Sequence, residues 1–240
     1  LSCHQDKSLT TTRGSRTIAL FVDESKFSSS VHASLTCVTC HADLSGKELP
    51  HEAPLQKVHC GTCHDAEQQL HAESLHGKAV ARNDALAPNC QSCHGNHDIK
   101  PVKDPASAVA PLKVPFVCGR CHQEGTRVQK EREIPQSRIL ENYSESIHGE
   151  GLLRKGLIVA PNCASCHTPH RILPHTDSRS SIARRNISST CAKCHAQIEA
   201  VHLKVIRGEM WEKEANILPA CVDCHQPHKM TMLHSLLPMD

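Results

Sequence analysis

Cys163-Ala164-Ser165-Cys166-His167 is one of seven copies of a single motif, Cys-x-x-Cys-His, in this 240-residue chain. The other six copies run from Cys37 to His41, Cys60 to His64, Cys90 to His94, Cys118 to His122, Cys191 to His195 and Cys221 to His225. The seven copies together use 14 of the 15 cysteines. In a c-type haem attachment site the two thiols of this motif bond the porphyrin, and the histidine binds the iron.

The fifteenth cysteine, Cys3, is followed by His4, so an eighth motif would have its first cysteine one residue before residue 1. We therefore predict eight haem c groups and an N-terminus that is cut or processed. The expected thioether cysteines are Cys3, Cys37, Cys40, Cys60, Cys63, Cys90, Cys93, Cys118, Cys121, Cys163, Cys166, Cys191, Cys194, Cys221 and Cys224. The expected proximal iron ligands are His4, His41, His64, His94, His122, His167, His195 and His225.

Other uses of paired cysteines fit this sequence less well. Zinc sites combine Cys-x-x-Cys pairs without a histidine after each pair, and a redox dithiol of the thioredoxin kind occurs once, beside a βαβ pattern. A disulfide framework would need no histidine after each pair. The recurrence of the whole motif favours haem.

The chain is poor in the residues that usually build a core, with three Phe, one Trp and one Tyr. Aromatic side chains normally contribute much of the buried area of a domain. Eight haems, at about 30 residues each, would supply that apolar volume instead. The predicted fold is mainly α, with short helices, long irregular loops, little β-sheet and a core made of cofactor, and the chain without haem is expected to be largely unfolded.

The charge of the chain excludes little by itself. The formal net charge is +2, but sixteen haem propionates would bring the reduced form to about −14 and the oxidised form to roughly −6. No run of Lys and Arg supports binding to nucleic acid. No stretch is apolar enough for a membrane span, and no signal peptide is visible in this sequence. Because haem is attached covalently outside the cytoplasm, we expect a periplasmic or extracellular protein.

The motifs form an internal repeat. In residues 60–97 a Cys-x-x-Cys-His motif is followed by Ser74-Leu75-His76-Gly77, by a second motif at Cys90, and by His97 three residues after His94. In residues 118–170 the same order gives Ser146-Ile147-His148-Gly149, the motif at Cys163, and His170. We expect one continuous unit of four repeats with two haems each, and this unit can be truncated at both ends. The first repeat runs over 1–59, the second over 60–117, the third over 118–190 and the fourth over 191–240.

The first and fourth repeats are irregular. In the fourth repeat, His228 follows His225 as expected, but Arg207 stands fourteen residues before Cys221, in the place of the Ser-x-His-Gly histidine. In the first repeat, Ser30-Val31-His32 is present, but Leu44 stands three residues after His41. Either irregularity could mark a haem with an open iron.

Twelve of the 20 histidines remain after the proximal ligands, enough for a second histidine on every iron. Two-histidine ligation is common in haems that only carry electrons, and methionine in the distal position raises the potential. The repeat selects as distal ligands His32, His51, His76, His97, His148, His170, His202 and His228. His59, His71, His175 and His234 are left over, with His71 the rival of His76 and Met210 a substitute for His202. Because His97 is too close to His94 in sequence to share its iron, it is expected to reach a neighbouring haem.

The motif spacing, the Ser-x-His-Gly element and the Cys-His-x-x-His element resemble those of the multihaem cytochromes c of respiratory bacteria and archaea. Residues 201–211 and 221–229 are similar to cytochrome c3-type and octahaem-like proteins, some of which are joined to a membrane b-type cytochrome. This resemblance implies an electron-transfer conduit of anaerobic respiration between a quinol-linked or periplasmic donor and a downstream acceptor. It implies redox-protein partners, such as a b-type cytochrome or a quinol dehydrogenase.

Two other functions stay open at this point. A multihaem reductase of nitrite, hydroxylamine or tetrathionate would need an open iron with acid, Arg or Tyr groups beside it, but the supply of spare histidines favours an electron carrier over an enzyme. A subunit of an extracellular cytochrome filament, or another homo-oligomer, would exchange haem contacts or ligands between chains.

Overall fold

The structure, a computed structural model, describes residues 3–48, 50–51, 55–132, 134, 136–196 and 220–231. His202, Arg207, Met210 and His234 lie outside these residues. In the described part the fold is mainly helical with one two-stranded sheet, which confirms the predicted fold class. None of the helices in these ranges is long and apolar enough to cross a membrane.

The helices are short and are separated by long loops. The α-helices are Glu24–Ser28, Cys37–Cys40, Asp65–Glu73, Leu75–Ala81, Cys90–His94, Val114–His122, Arg127–Glu131, Ile139–Glu145, Ile147–Gly149, Cys163–His167, Ile187–Ala192 and Cys221–Cys224. Single 3₁₀ turns lie at Cys3–Gln5, Ala42–Leu44, Cys60–Thr62 and Arg184–Asn186, and a π-helical turn lies at Glu150–Arg154. The strands Thr10–Arg13 and Arg16–Ala19 pair antiparallel, with Thr10 opposite Ala19.

The chain divides into two compact units that interleave along the sequence. One consists of Leu1–Ala66 and Cys90–Ala110, and the other of Glu67–Asn89 and Pro111–Asp240. The second repeat thus contributes to both units: its Ser-x-His-Gly element belongs to one, and its Cys90 motif to the other.

Few apolar side chains are buried in the described residues. The buried ones are Ala110, Tyr143, Leu152, Leu173, Ala183, Ile187 and Ala220. More large apolar side chains are exposed, namely Val31, Leu35, Val38, Leu70, Leu75, Val80, Val102, Leu112, Phe116, Ile147, Leu157, Ile158 and Val159. A protein of this size normally buries such residues because removing apolar area from water stabilises the fold. The polypeptide therefore leaves an apolar surface that a large apolar group can cover.

Two buried serines start the helices that carry His76 and His148. The Ser74 hydroxyl accepts a hydrogen bond from the Gly77 backbone N–H at 2.9 Å and donates to the His71 carbonyl. The Ser146 hydroxyl makes the same two bonds, with the Gly149 N–H at 3.1 Å and the Tyr143 carbonyl. Each serine satisfies a backbone N–H that has no partner inside its helix, which fixes where the histidine-bearing turn begins.

We expect Ser74→Ala to destabilise the protein by about 1–2 kcal/mol, since it removes a helix cap in a buried setting. The denaturant midpoint, followed by far-UV circular dichroism, measures the loss. Ser25→Ala is the control, because Ser25 is exposed and donates only to the Asp23 carboxylate. Equal midpoints for the two variants would contradict the capping role of Ser74.

A backbone hydrogen bond recurs at each Ser-x-His element. The Val31 N–H donates to the Ile99 carbonyl at 2.9 Å, the Leu75 N–H to the Ile172 carbonyl at 2.9 Å, and the Ile147 N–H to the Met230 carbonyl at 2.8 Å. In every case the donor directly precedes the histidine of the element. The acceptor lies two residues after the trailing histidine of a later Cys-His-x-x-His element.

Candidate haem-binding sites

Six pairs of histidine rings lie close together within the two compact units. Each pair joins one predicted proximal ligand to one predicted distal ligand. The pairs are His4 with His51, His64 with His32, His41 with His97, His122 with His76, His195 with His148, and His167 with His228. The ring centres are 5.8 to 6.3 Å apart in all six.

This spacing suits one metal ion between the rings. A metal–imidazole bond is about 2.0–2.1 Å long and the nitrogen lies roughly 1.1 Å from its ring centre, so two imidazoles on opposite sides of one ion have centres about 6.2 Å apart. The described residues contain no group of three or more His, Cys, Asp or Glu placed to hold a metal ion. A pair of histidines is a ligand set that can hold a haem iron, because the porphyrin supplies the other four ligands.

The Ser-x-His-Gly glycines are required by a close approach of the backbone. A Cβ atom on Gly77 would lie 1.9 Å from the His71 carbonyl oxygen, and one on Gly149 would lie 1.9 Å from the Tyr143 carbonyl oxygen. No side chain fits at such a distance, so the two turns close only with glycine. The turn presents His76 towards His122, while its rival His71 provides the carbonyl that the turn packs against.

The surroundings of six of the paired rings favour neutral imidazole, the form that binds a metal. Burial lowers the pKa of His76 to about 4, and the nearby His122 acts in the same direction. Burial likewise lowers the pKa of His228 to about 4, with His167 as the second cause. Burial is also the main reason why the pKa values of His97, His122, His148 and His167 are lowered.

Two of the rings are oriented by hydrogen bonds through Nδ1. His4 Nδ1 donates to the Leu20 carbonyl at 2.7 Å, and His228 Nδ1 lies 2.5 Å from Gln136 Oε1. A bond at Nδ1 leaves the Nε2 lone pair available and fixes the ring orientation, as at metal sites generally. The hairpin Thr10–Ala19 leads into Leu20, so it positions the His4 ring.

The cysteines of the motifs lie on short turns beside their histidines, as on the helices Cys90–His94 and Cys163–His167. None of the fourteen cysteines with described side chains is part of a disulfide. Thiols from different motifs nevertheless meet. Cys118 and Cys163 are hydrogen-bonded. This bond, together with burial, raises the pKa of Cys118, and the same bond lowers the pKa of Cys163 although burial acts in the opposite direction.

A second contact of this kind joins Cys60 and Cys90. Burial and the neighbouring Cys90 raise the pKa of Cys60, and Cys40 adds to the effect from further away. Both contacts join the first cysteine of one motif to the first cysteine of the next motif along the chain. Groups attached at these thiols would have adjoining edges.

The residues fit a covalently bound haem in three respects: spaced imidazole pairs, motif cysteines that form no disulfide among the described residues, and exposed apolar side chains. His94, His170 and His225 are described and half-buried. The proximal roles of His94 and His225 and the distal role of His170 stay predictions from the sequence. The predicted ligand His202 lies outside the described residues, as does His234. Of the other left-over histidines, His59 and His175 are exposed.

Sequence reasoning missed one recurrent element, Pro-x-x-Asp-x-x-Ser, at residues 101–107 and 174–180. The Asp104 carboxylate accepts from the Ala106 N–H at 2.7 Å, and the Asp177 carboxylate accepts from the Arg179 N–H at 2.9 Å. The buried Ser107 donates to the Lys100 carbonyl, and the buried Ser180 to the Leu173 carbonyl. The signal was present, because each serine stands eleven residues before the next motif cysteine, Cys118 or Cys191.

Comparison with known proteins gives one match. Neither a curated protein nor a solved structure matches the chain significantly. Residues 4–122 match the model of the class III cytochrome c family. The match covers His4 and the first four complete motifs, and the same elements recur in the residues that follow. The first half of the chain is therefore similar to class III cytochromes c, a similarity that indicates covalently bound haem c and electron transfer.

Proposed function

We propose that the chain is an eight-haem electron-transfer conduit in which two histidines bind each iron. The observation that carries the proposal is the set of six proximal–distal ring pairs with centres 5.8 to 6.3 Å apart. A bound haem supplies a one-electron couple at its iron. If two histidines held each iron, no ligand would have to leave during electron transfer, and no position would be free for a substrate.

The paired residues are the proposed ligands. Each iron would be bound by one of these pairs, with the proximal histidine named first: His4 and His51, His41 and His97, His64 and His32, His122 and His76, His167 and His228, and His195 and His148. His170 and His202 complete the proposed distal set on the strength of the repeat alone. At the pairs His76–His122 and His167–His228, burial of the rings would exclude water from the iron and lower the polarity around it, which tunes the potential.

The contacts between thiols support transfer from haem to haem. Because Cys60 touches Cys90 and Cys118 touches Cys163, the porphyrins attached there would have neighbouring edges. We infer two closely coupled haem pairs, one for motifs 60–64 and 90–94 and the other for motifs 118–122 and 163–167. Short distances between cofactors are what an electron conduit requires.

The setting we propose is anaerobic respiration in the periplasm or outside the cell. Electrons would enter from a quinol-linked or periplasmic donor, such as a membrane b-type cytochrome or a quinol dehydrogenase, and leave to a downstream redox protein. A catalytic role in reducing nitrite, hydroxylamine or tetrathionate would require an iron with an exchangeable ligand, and assembly into a filament would require haem contacts between chains.

Haem stoichiometry and spin state test the proposal together. We expect eight haems for these 240 residues in a pyridine haemochrome assay and only low-spin ferric signals in electron paramagnetic resonance. Seven haems would remove the Cys3-His4 site. One high-spin haem equivalent that converts on addition of cyanide or nitrite would contradict the conduit and favour the reductase.

A further inference from the structure

Three of the ring pairs carry a ligand forwards along the chain. His32 of the first repeat lies against His64 of the second, His76 of the second against His122 of the third, and His148 of the third against His195 of the fourth. The first histidine of each pair belongs to a Ser-x-His element. The second belongs to the first Cys-x-x-Cys-His motif of the following repeat.

Two further pairs carry a ligand backwards. His97 of the second repeat lies against His41 of the first, and His228 of the fourth against His167 of the third. Both donors are trailing histidines of a Cys-His-x-x-His element, and both recipients belong to the second motif of the preceding repeat. The His4–His51 pair, inside the first repeat, is the exception.

The recurrent backbone hydrogen bonds join the same partners. Each runs from the residue before a Ser-x-His histidine to the residue two positions beyond the trailing histidine of the next repeat, as from Leu75 to Ile172 and from Ile147 to Met230. Val31 and Ile99 form the same bond between the first and second repeats. The forward-donating and backward-donating elements of adjacent repeats are therefore held side by side, independently of any metal.

We infer that neighbouring repeats exchange haem ligands: each repeat lends its Ser-x-His histidine to the first haem of the next repeat, and its trailing histidine to the second haem of the repeat before it. This inference rests on the proposed two-histidine ligation. Each haem of a regular repeat would then be bound by histidines from two neighbouring repeats.

The exchange explains the two irregular positions without an open iron. Leu44 occupies the slot of a trailing histidine, and that slot serves a preceding repeat, while the iron of His41 is served by His97. Arg207 occupies the slot of a Ser-x-His histidine, and that slot serves a following repeat, while the iron of His195 is served by His148. Leu44 therefore removes no ligand from the iron of His41, and Arg207 removes none from the iron of His195.

His148 provides the sharpest test. If it binds a haem of its own repeat, its loss affects the haem attached at Cys163 and Cys166, and if repeats share ligands, its loss affects the haem attached at Cys191 and Cys194. His148→Ala is made in the full holoprotein and in two backgrounds, Cys191→Ser with Cys194→Ser and Cys163→Ser with Cys166→Ser, each lacking one haem. We expect one high-spin haem equivalent from His148→Ala in the normal and Cys163/Cys166 backgrounds and none in the Cys191/Cys194 background. His175→Ala is the control and should stay low-spin throughout, because His175 is exposed.

Hydrogen exchange of the single variant answers the same question without removing a haem. His148→Ala should lose protection in residues 187–196 and keep it in residues 163–167. High-spin haem that persists in the Cys191/Cys194 background, or protection lost at 163–167, would overturn the sharing of ligands between repeats and leave two-histidine ligation intact. An absence of high-spin haem in every background would instead overturn the ligand role of His148.

Discussion

Replacing His76 with methionine is expected to raise the reduction potential of one haem by on the order of 0.1 V, a fraction of the roughly 0.8 V over which axial ligands move haem potentials. Thioether sulfur is a weaker donor than imidazole and favours the reduced iron. The His76 ring centre lies 6.1 Å from that of His122, so we expect the change at the haem of the motif Cys118 to His122. Spectroelectrochemical titration would resolve one haem that separates from the remaining seven.

His71→Met is the matched control. His71 precedes His76 by five residues and is also half-buried, but it contributes its backbone carbonyl to the turn. We expect this variant to keep the potentials of the parent protein. A shift in His71→Met with none in His76→Met would exchange the roles of the two histidines.

Replacing Gly149 with alanine is expected to destabilise the protein by about 4 kcal/mol or more, a size that single substitutions reach only through a specific fault. The new Cβ would lie 1.9 Å from the Tyr143 carbonyl oxygen and 2.9 Å from the Ser144 Cα, both of which are backbone atoms. The turn must open, the Ser146 cap is lost, and His148 moves away from His195. Unfolding curves should shift, and the ferric protein should gain a high-spin fraction.

Gly151→Ala, two residues further on, separates this steric effect from the general effect of losing a glycine. Gly151 is also buried, but a Cβ there would meet only the Ala160 Cβ, at an ordinary 3.5 Å. We expect a change of less than about 1 kcal/mol, because alanine favours a helical backbone. If the two variants unfolded at the same denaturant concentration, the close approach at Gly149 would have no energetic role.

The sequence predicted the fold class and named twelve histidines that the structure brings together in pairs. The motif histidines and the Ser-x-His histidines could be named because they recur in one order beside the cysteine pairs, and their role as haem ligands stays a prediction. The scarcity of aromatic residues predicted a fold of short helices and loops that completes its core with cofactor. Residues such as Leu157 and Val159, exposed on the polypeptide, agree with that expectation.

The pairing of ligands could not be predicted, because it depends on contacts between distant residues. His97 stands three residues from His94 yet lies against His41, and His228 lies against His167. The glycine of the Ser-x-His-Gly element was recognised as a pattern, but its cause, the approach of a carbonyl from the preceding turn, appears only in three dimensions. The Pro-x-x-Asp-x-x-Ser element was visible in the sequence, but it carries no chemistry that draws attention to it.

The hydrogen bonds from Val31, Leu75 and Ile147 also bear on how such a protein can evolve. Both partners are backbone atoms, so the side chains at these positions can vary without loss of the bond. A duplicated repeat would bring its own donor, its own acceptor and one histidine for each neighbour. The array can therefore gain or lose whole repeats by duplication or deletion without new interfaces, as in solenoid proteins whose units contact only their neighbours.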